Sequence, residues 1–237
     1  MNKKLNGKWA LITGSSKGIG QQIAVGLARY GCNIVIHGRK LENNKNTKEL
    51  LEKLGVKTIS VAGELSNFND VDNIINMIFK EINGVDILYN NAGVMSIPDL
   101  VWNIPMEEWM RVFQINLFAV VRLCNAFAPE MKKRGFGRII NLSSGIKDQP
   151  DHTPYSVSKA AIDKYTRDLA YELKDDNVLV NYLDPGWLRT NLGGPNAPND
   201  VETVLPGALV PALLEDNGPT GRSFNAQDYK YLSDYNL

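Results

Sequence analysis

Trp9-Ala10-Leu11-Ile12-Thr13-Gly14-Ser15-Ser16-Lys17-Gly18-Ile19-Gly20 is the stretch on which the fold turns. Its first five residues run without polar alternation, as in a strand buried on both faces. A helical spacing then begins inside the glycine-rich segment, with Ile19, Ile23 and Leu27 on one face and Gly31 as its stop. Glycines there permit a tight turn and a close backbone approach to a pyrophosphate. The helix N-terminus adds free N–H groups and the positive end of a dipole. Glycine-rich turns also simply end strands. This one lies between a first strand and a first helix, which is where a phosphate cradle works.

Outward from it, short β-branched runs alternate with helical patterns. Strands are expected at Asn33–His37, Lys57–Ala62, Asp86–Asn90, Gly137–Leu142, Val178–Leu183 and around Arg222–Phe224. Helices are expected near Glu42–Leu54, over Asn67–Ile82, over a long Met106–Lys132, over Pro154–Lys174 with Thr153 as N-cap, and near Val201–Leu214. Such alternation predicts an α/β fold, a doubly wound parallel sheet of seven strands with helices on both faces. No linker, repeat or low-complexity segment divides the chain, so residues 1–237 read as one domain. The Gly/Pro/Asn-rich stretch 193–199 reads as a loop.

The 237 residues are 43% hydrophobic and 22% charged, with 26 basic against 26 acidic side chains. A net charge of zero gives no electrostatic reason to expect nucleic acid or an anionic membrane as partner. No uninterrupted apolar run approaches membrane-spanning length, and no apolar core of signal-peptide length follows the basic N-terminal residues. Cys32 and Cys124 lie far apart in sequence and read as small core residues of a reducing compartment. A cytoplasmic setting is expected, and no metal site is read.

The end of the second strand bears on the choice of nucleotide. An acidic residue there bonds a ribose 2′-hydroxyl. Here Ile36-His37-Gly38-Arg39-Lys40 has no carboxylate before Glu42. Arg39 and Lys17 are either solvated charges or ligands of a 2′-phosphate; the missing acid and the present base favour the phosphate. Tyr155 and Lys159 fall four apart in a predicted helix, on one face. A fixed cation near a phenol favours the phenolate and brings its pKa towards a working range. Upstream, Ser143 or Ser144 ends a strand where ligands bind in such sheets, though paired serines also form turns. Asn116 interrupts the apolar row Trp109, Phe113, Val120, Cys124 and Phe127, either as a satisfied core amide or as a positioned functional group.

Taken together, Thr13-Gly14-x-x-x-Gly18-x-Gly20, Asn90-Asn91-Ala92-Gly93, Asn116, the serine after the fifth strand, Tyr155-x-x-x-Lys159 and Pro185-Gly186 resemble the classical short-chain dehydrogenases/reductases. The likeness runs from Trp9 to about Phe224, in order, and is similar to the NADP-preferring, carbonyl-reductase-like members. It implies a Rossmann-type fold and an oxidoreductase moving hydride between NADP(H) and a carbonyl/alcohol pair. Tyr155 would be the general acid/base and Lys159 would hold the nicotinamide ribose. Ser144 would orient the substrate oxygen, and Asn116 would hold a water in a proton relay. The cofactor site it implies comprises Gly14, Ser16, Lys17, Gly18, Ile19, Gly20, Arg39, Glu64, Leu65, Asn91, Ala92, Gly93, Tyr155, Lys159, Pro185, Gly186 and Thr190. It also implies a homodimer or homotetramer through the two long helices. Three features depart from the pattern. Glu64 stands where an aspartate is usual, the segment from Ser144 to Tyr155 is a little short, and Asp184 precedes Pro185-Gly186 with no assigned role. The expected pocket walls, 94–104, 145–153 and 187–199, are of mixed polarity. They leave 3-oxoacyl thioesters, polyols, sugars and small carbonyl compounds open, and His152 is expected on an exposed loop. A non-catalytic NADP(H)-responsive protein on the same fold is the competing class.

Overall fold

The computed structural model describes residues 4–148 and 152–232. β1 (Trp9–Ile12), β2 (Asn33–Gly38), β3 (Thr58–Ala62), β4 (Ile87–Asn90), β5 (Gly137–Leu142), β6 (Val178–Asp184) and β7 (Ser223–Asn225) form one sheet in the order β3-β2-β1-β4-β5-β6-β7. Every pairing is parallel. Among the described residues the α-helices are α1 (Gly18–Arg29), α2 (Lys45–Glu52), α3 (Phe68–Ile82), α4 (Met106–Phe113), α5 (Ala119–Arg134) and α6 (Thr153–Glu172). The fold is therefore the α/β, Rossmann-type arrangement that the alternation predicts.

Strand period fixes which side chains reach which face. Ala10, Ile12, Ile34, Ile36, Ile87 and Tyr89 point to one side and pack with Ile23 and Leu27 of α1. Leu11, Val35, Val61, Leu88, Ile139 and Val180 point to the other and pack with Val71, Ile74, Leu123 and Phe127 of α3 and α5. The chain crosses from β3 at one edge to β4 beside β1, so the strand order reverses between β1 and β4. Their carboxyl ends open the crevice in which such sheets bind ligands.

Four expected elements differ in detail. The segment 42–54 starts as a 3₁₀ turn, Leu41–Asn44, before α2. Asn44 is buried there and its Nδ2 donates to Ile36 and Val61 carbonyls at 3.3 and 3.0 Å, a tertiary demand that displaces the regular helix start. The helix of 106–132 is interrupted by a π-turn at Gln114–Phe118, which carries Asn116. Thr153 is not the N-cap of α6: His152 holds that position, left-handed at φ 51°, and Thr153 is already helical. The segment 201–214 forms two 3₁₀ pieces, Val201–Val204 and Gly207–Ala212, because Pro206 and Pro211 lack the N–H that an α-helix there needs.

Although no uninterrupted apolar run reaches that length, the 29-residue stretch Met106–Arg134 is long and apolar enough to cross a membrane by length and composition. In this fold it is a core helix, its Val112, Leu123, Phe127 and Met131 buried, the last three against the sheet.

Candidate active site

The glycine segment is locked before any ligand is considered. Thr13, buried at the end of β1, receives the N–H groups of Asn91 and Ala92 on its hydroxyl, both at 3.0 Å. Asn91 Nδ2 returns a bond to the Thr13 carbonyl at 2.7 Å. Gly14 turns at φ 67°, and a β-carbon on it meets the Ala92 side chain at 3.2 Å. At Gly20 the crowding is tighter: a β-carbon lies 2.6 Å from both Asn91 Nδ2 and the Gly14 carbonyl oxygen. These glycines allow α1 to start flush against β1 and β4. No side chain caps the helix at Lys17, so its first N–H groups are left facing the crevice mouth. This is a cradle of the shape and polarity that a pyrophosphate fits.

A polar chain runs beneath it. Asn90 Nδ2 donates to Asn141 Oδ1 at 2.8 Å, and Asn141 Nδ2 to Thr166 Oγ1 at 2.9 Å, tying β4 to β5 and α6. Asn116 is buried and holds the loop after β4. Its Oδ1 accepts from Val94 N at 2.9 Å, while its Nδ2 donates to Val94 O at 3.0 Å and Ser158 Oγ at 3.1 Å. Both amide hydrogens are used, so only a lone pair of Oδ1 is left for a water from this side chain. The π-turn aims the amide at that loop, a common use of such turns at functional sites. A β-carbon on Gly93 stands 3.3 Å from Asn116 Oδ1 and 3.7 Å from Lys159 Nζ, so the glycine leaves that corner open.

α6 brings Tyr155 and Lys159 to the carboxyl ends of β5 and β6. Lys159 Nζ donates to the Leu142 carbonyl at 2.7 Å and stands 5.6 Å from the Tyr155 ring centroid. Of the two candidate serines, Ser143 is buried, while half-buried Ser144 hydrogen-bonds to Tyr155. Burial pushes the Tyr155 phenol up; the Ser144 bond pulls it down and the Asp184 charge pushes it up again. Burial takes Lys159 down to about 8, with Asp163 and Asp184 opposing. The phenol is thus shifted upward, opposite to the expected depression, with burial the largest cause.

The remaining expected residues divide. Thr190 accepts from Gly193 N at 3.1 Å, and its methyl lies 3.8 Å from a β-carbon on Gly18, so the loop after β6 reaches across to the cradle. Gly186 turns at φ 82° against Gln227, whose Nε2 donates to the Pro185 carbonyl at 2.9 Å. Ser16 and Ile19 are half-buried and Lys17 is exposed. Arg39 is exposed and stands 3.9 Å from Glu64, while the Leu65 side chain belongs to the core. His152 is half-buried rather than exposed, its Nδ1 3.2 Å from Ser96 O. Trp102, expected in a pocket wall, is 80% exposed. Residues 149–151 of another wall lie outside the described residues.

Sequence reasoning missed His37. It is buried beneath the cradle, its Nδ1 accepting from Gly14 N at 3.0 Å and its Nε2 3.2 Å from the Gly63 carbonyl. Burial takes the ring down to about 4, so it is neutral at pH 7 and bridges the glycine turn to the loop before Glu64. A polar residue in an otherwise apolar strand was the available signal.

Comparison with known proteins gives the family. Residues 8–200 match the family of short chain dehydrogenases. An uncharacterized oxidoreductase of Thermotoga maritima is 36% identical over 230 residues, 96% of this chain and 87% of the relative. A 3-oxoacyl-(acyl-carrier-protein) reductase of Aquifex aeolicus is 35% identical over 195 residues, 81% of this chain and 78% of the relative. L-sorbose reductase from Gluconobacter frateurii, solved with NADPH and L-sorbose, superposes with a TM-score of 0.83 at 29% identity, over 95% of this chain and 97% of that one. On these grounds the chain belongs to the short-chain dehydrogenase/reductase family, oxidoreductases that act on CH–OH and C=O groups.

Proposed function

We propose that this oxidoreductase transfers hydride between NADP(H) and a carbonyl/alcohol substrate, with Tyr155 as general acid/base. The observation that carries the reading is the meeting of Ser144, Tyr155 and Lys159 at the strand ends, one loop away from the glycine cradle. NADPH, when bound, supplies the hydride for reduction. Ser144 Oγ–H donates to the carbonyl oxygen and fixes its position. Tyr155 delivers its phenolic proton to that oxygen as the carbonyl carbon is reduced, giving the alcohol; the raised phenol is protonated at pH 7 and ready to act as the acid. Lys159, held by the Leu142 carbonyl, would bond the nicotinamide ribose. Asn116 fixes the Val94 loop and offers its remaining lone pair to the relay that reprotonates the tyrosine.

The preference for NADP(H) over NAD(H) rests on Arg39 and Lys17, exposed cations with no carboxylate between Ile36 and Lys40. The NADPH-bound relative supports it. Two free, buried cysteines support a cytoplasmic setting. The exposed Met106, Met110, Phe118 and Val157 on the long helices support a homodimer or homotetramer. A light-scattering mass of one chain refutes that assembly. A purely NADP(H)-sensing protein has no need of a positioned acid, which favours the enzyme.

The test is NADPH and NADH consumption over ketones, aldehydes, sugars and 3-oxoacyl thioesters, with Tyr155→Phe alongside. Turnover is expected with NADPH and is expected to fall by about 10²–10⁴ in the variant. Folded, NADPH-binding protein that reduces none of them refutes the catalytic reading in favour of the sensor.

A further inference from the structure

Asp184 is a charged group of the site that the reaction above leaves without a task. It is the last residue of β6, and the register Leu142↔Leu183 sets it one step beyond, level with Ser143 and next to the Ser144–Gly145 turn. Its Oδ1 accepts from Gly186 N at 2.9 Å and so braces the Pro185-Gly186 turn. Its Oδ2 points the other way. A β-carbon on exposed Gly145 lies 3.1 Å from that oxygen and, among the described residues, within 4 Å of nothing else from another part of the fold. Among the described residues no lysine or arginine forms an ion pair with Asp184. The carboxylate is half-buried, and its charge acts on both Tyr155 and Lys159. One oxygen is therefore committed to the backbone. The other faces Gly145, where any side chain larger than glycine's would cover it, and its charge reaches the reacting groups.

We propose that Asp184 Oδ2 is a substrate subsite: it accepts a hydrogen bond from a hydroxyl on the carbonyl substrate, making hydroxyketones and their polyol products the preferred class. The inference rests on the oxidoreductase reading and narrows it. A substrate O–H on this oxygen replaces the hydrogen bond that water otherwise supplies and fixes the orientation of the substrate. A neutral donor suits the position better than an ammonium group. Lys159 already places a cation nearby, held to Leu142 O at 2.7 Å, and a second cation would be repelled. A site built to bond a substrate hydroxyl rejects the analogue without it, because its own polar atom is then left unpaired.

The experiment measures kcat/KM with NADPH for two matched pairs, hydroxyacetone against acetone and acetoin against butanone, in wild type, Asp184→Asn and Gly145→Ala. Asn keeps an oxygen for Gly186 N–H and turns the open atom into a donor. Ala leaves the charge intact and covers Oδ2 with a methyl group. The readout is the hydroxylated-to-plain ratio, from which any general effect on Tyr155 cancels. Loss of a hydrogen bond to a charged group predicts a collapse of that ratio by about tenfold or more in each variant. A ratio that survives either substitution within about twofold overturns the proposal. Where a protein turns over neither member, calorimetry of propane-1,2-diol against propan-2-ol on the NADPH-loaded protein decides instead. Tighter diol binding by wild type, lost in both variants, supports the subsite, and equal binding of the two alcohols overturns it. Wild type inactive on every carbonyl refutes the oxidoreductase reading as a separate result.

Discussion

Gly20→Ala isolates the steric logic of the cradle. The added methyl falls 2.6 Å from the Gly14 carbonyl oxygen, 2.6 Å from Asn91 Nδ2 and 2.9 Å from Ser15 Cα. Ordinary carbon contacts start at about 3.5 Å, so α1 has to retreat by roughly 0.5–1 Å. Overpacking of this kind costs about 1–3 kcal/mol. Replacing glycine in a helix returns up to about 1 kcal/mol. The net is a loss of about 1 kcal/mol, read as a fall in Tm of about 2–4 °C for a chain of this size. The same retreat pulls the free N–H groups of α1 away from the turn, so NADPH affinity is expected to fall tenfold or more. Gly135→Ala is the matched control. Gly135 turns at φ 65° with nothing within 4 Å of a β-carbon, so alanine there costs a comparable 1–2 kcal/mol, roughly, through backbone strain alone. Melting by calorimetry and NADPH binding by fluorescence titration compare the two. Similar melting losses with a cofactor defect only in Gly20→Ala are expected. NADPH binding within twofold of wild type in Gly20→Ala, or equally weakened in Gly135→Ala, refutes the reasoning.

Two further outcomes are expected. Arg39→Asp weakens NADPH much more than NADH, since it removes a cation and sets a second acid beside Glu64, now 3.9 Å from Arg39; equal losses in titrations of both cofactors refute the phosphate role. The reductive rate declines as pH rises through about 8, where buried Lys159 gives up its proton, and Lys159→Arg moves that decline upward; a flat profile to pH 10 sinks the assignment. Stability runs the other way: the unfolded lysine holds its proton up to about 10.5, so it binds more protons than the folded one between those values. Over that window Lys159 makes stability rise with pH, while below about 8 its burial penalty is present in full.

Much of the site was legible because its parts depend on local constraint. A glycine-rich turn between strand and helix needs little beyond its neighbours in sequence to be recognised, and Tyr155 and Lys159 share a face through helical spacing alone. Asn116 was harder. Read along the helix it is one amide in an apolar row, and its partners, Val94 and Ser158, lie 22 and 42 residues away. The π-turn that aims it has no pattern that a 3.6-residue period can report. The role of His37 was hidden for a similar reason, its ring contacts lying 23 and 26 residues away on either side of it, although its polarity in an apolar strand marked the position. The proline-broken 3₁₀ pieces at 201–212 show a local signal passed over: apolar spacing suggested a helix that Pro206 and Pro211 forbid.

By itself the sequence determined the strand–helix order, the parallel sheet, the glycine turn between β1 and α1 and the shared helix face of Tyr155 and Lys159. Each follows from periodicity or from short-range backbone geometry, which neighbouring residues specify. Tertiary structure decided which serine meets Tyr155, how burial sets the protonation of Tyr155 and Lys159, and that Asp184 has one oxygen tied to Gly186 and the other open beside Gly145. Those properties depend on desolvation and on through-space distances between segments far apart in the chain, quantities that only the packed fold fixes.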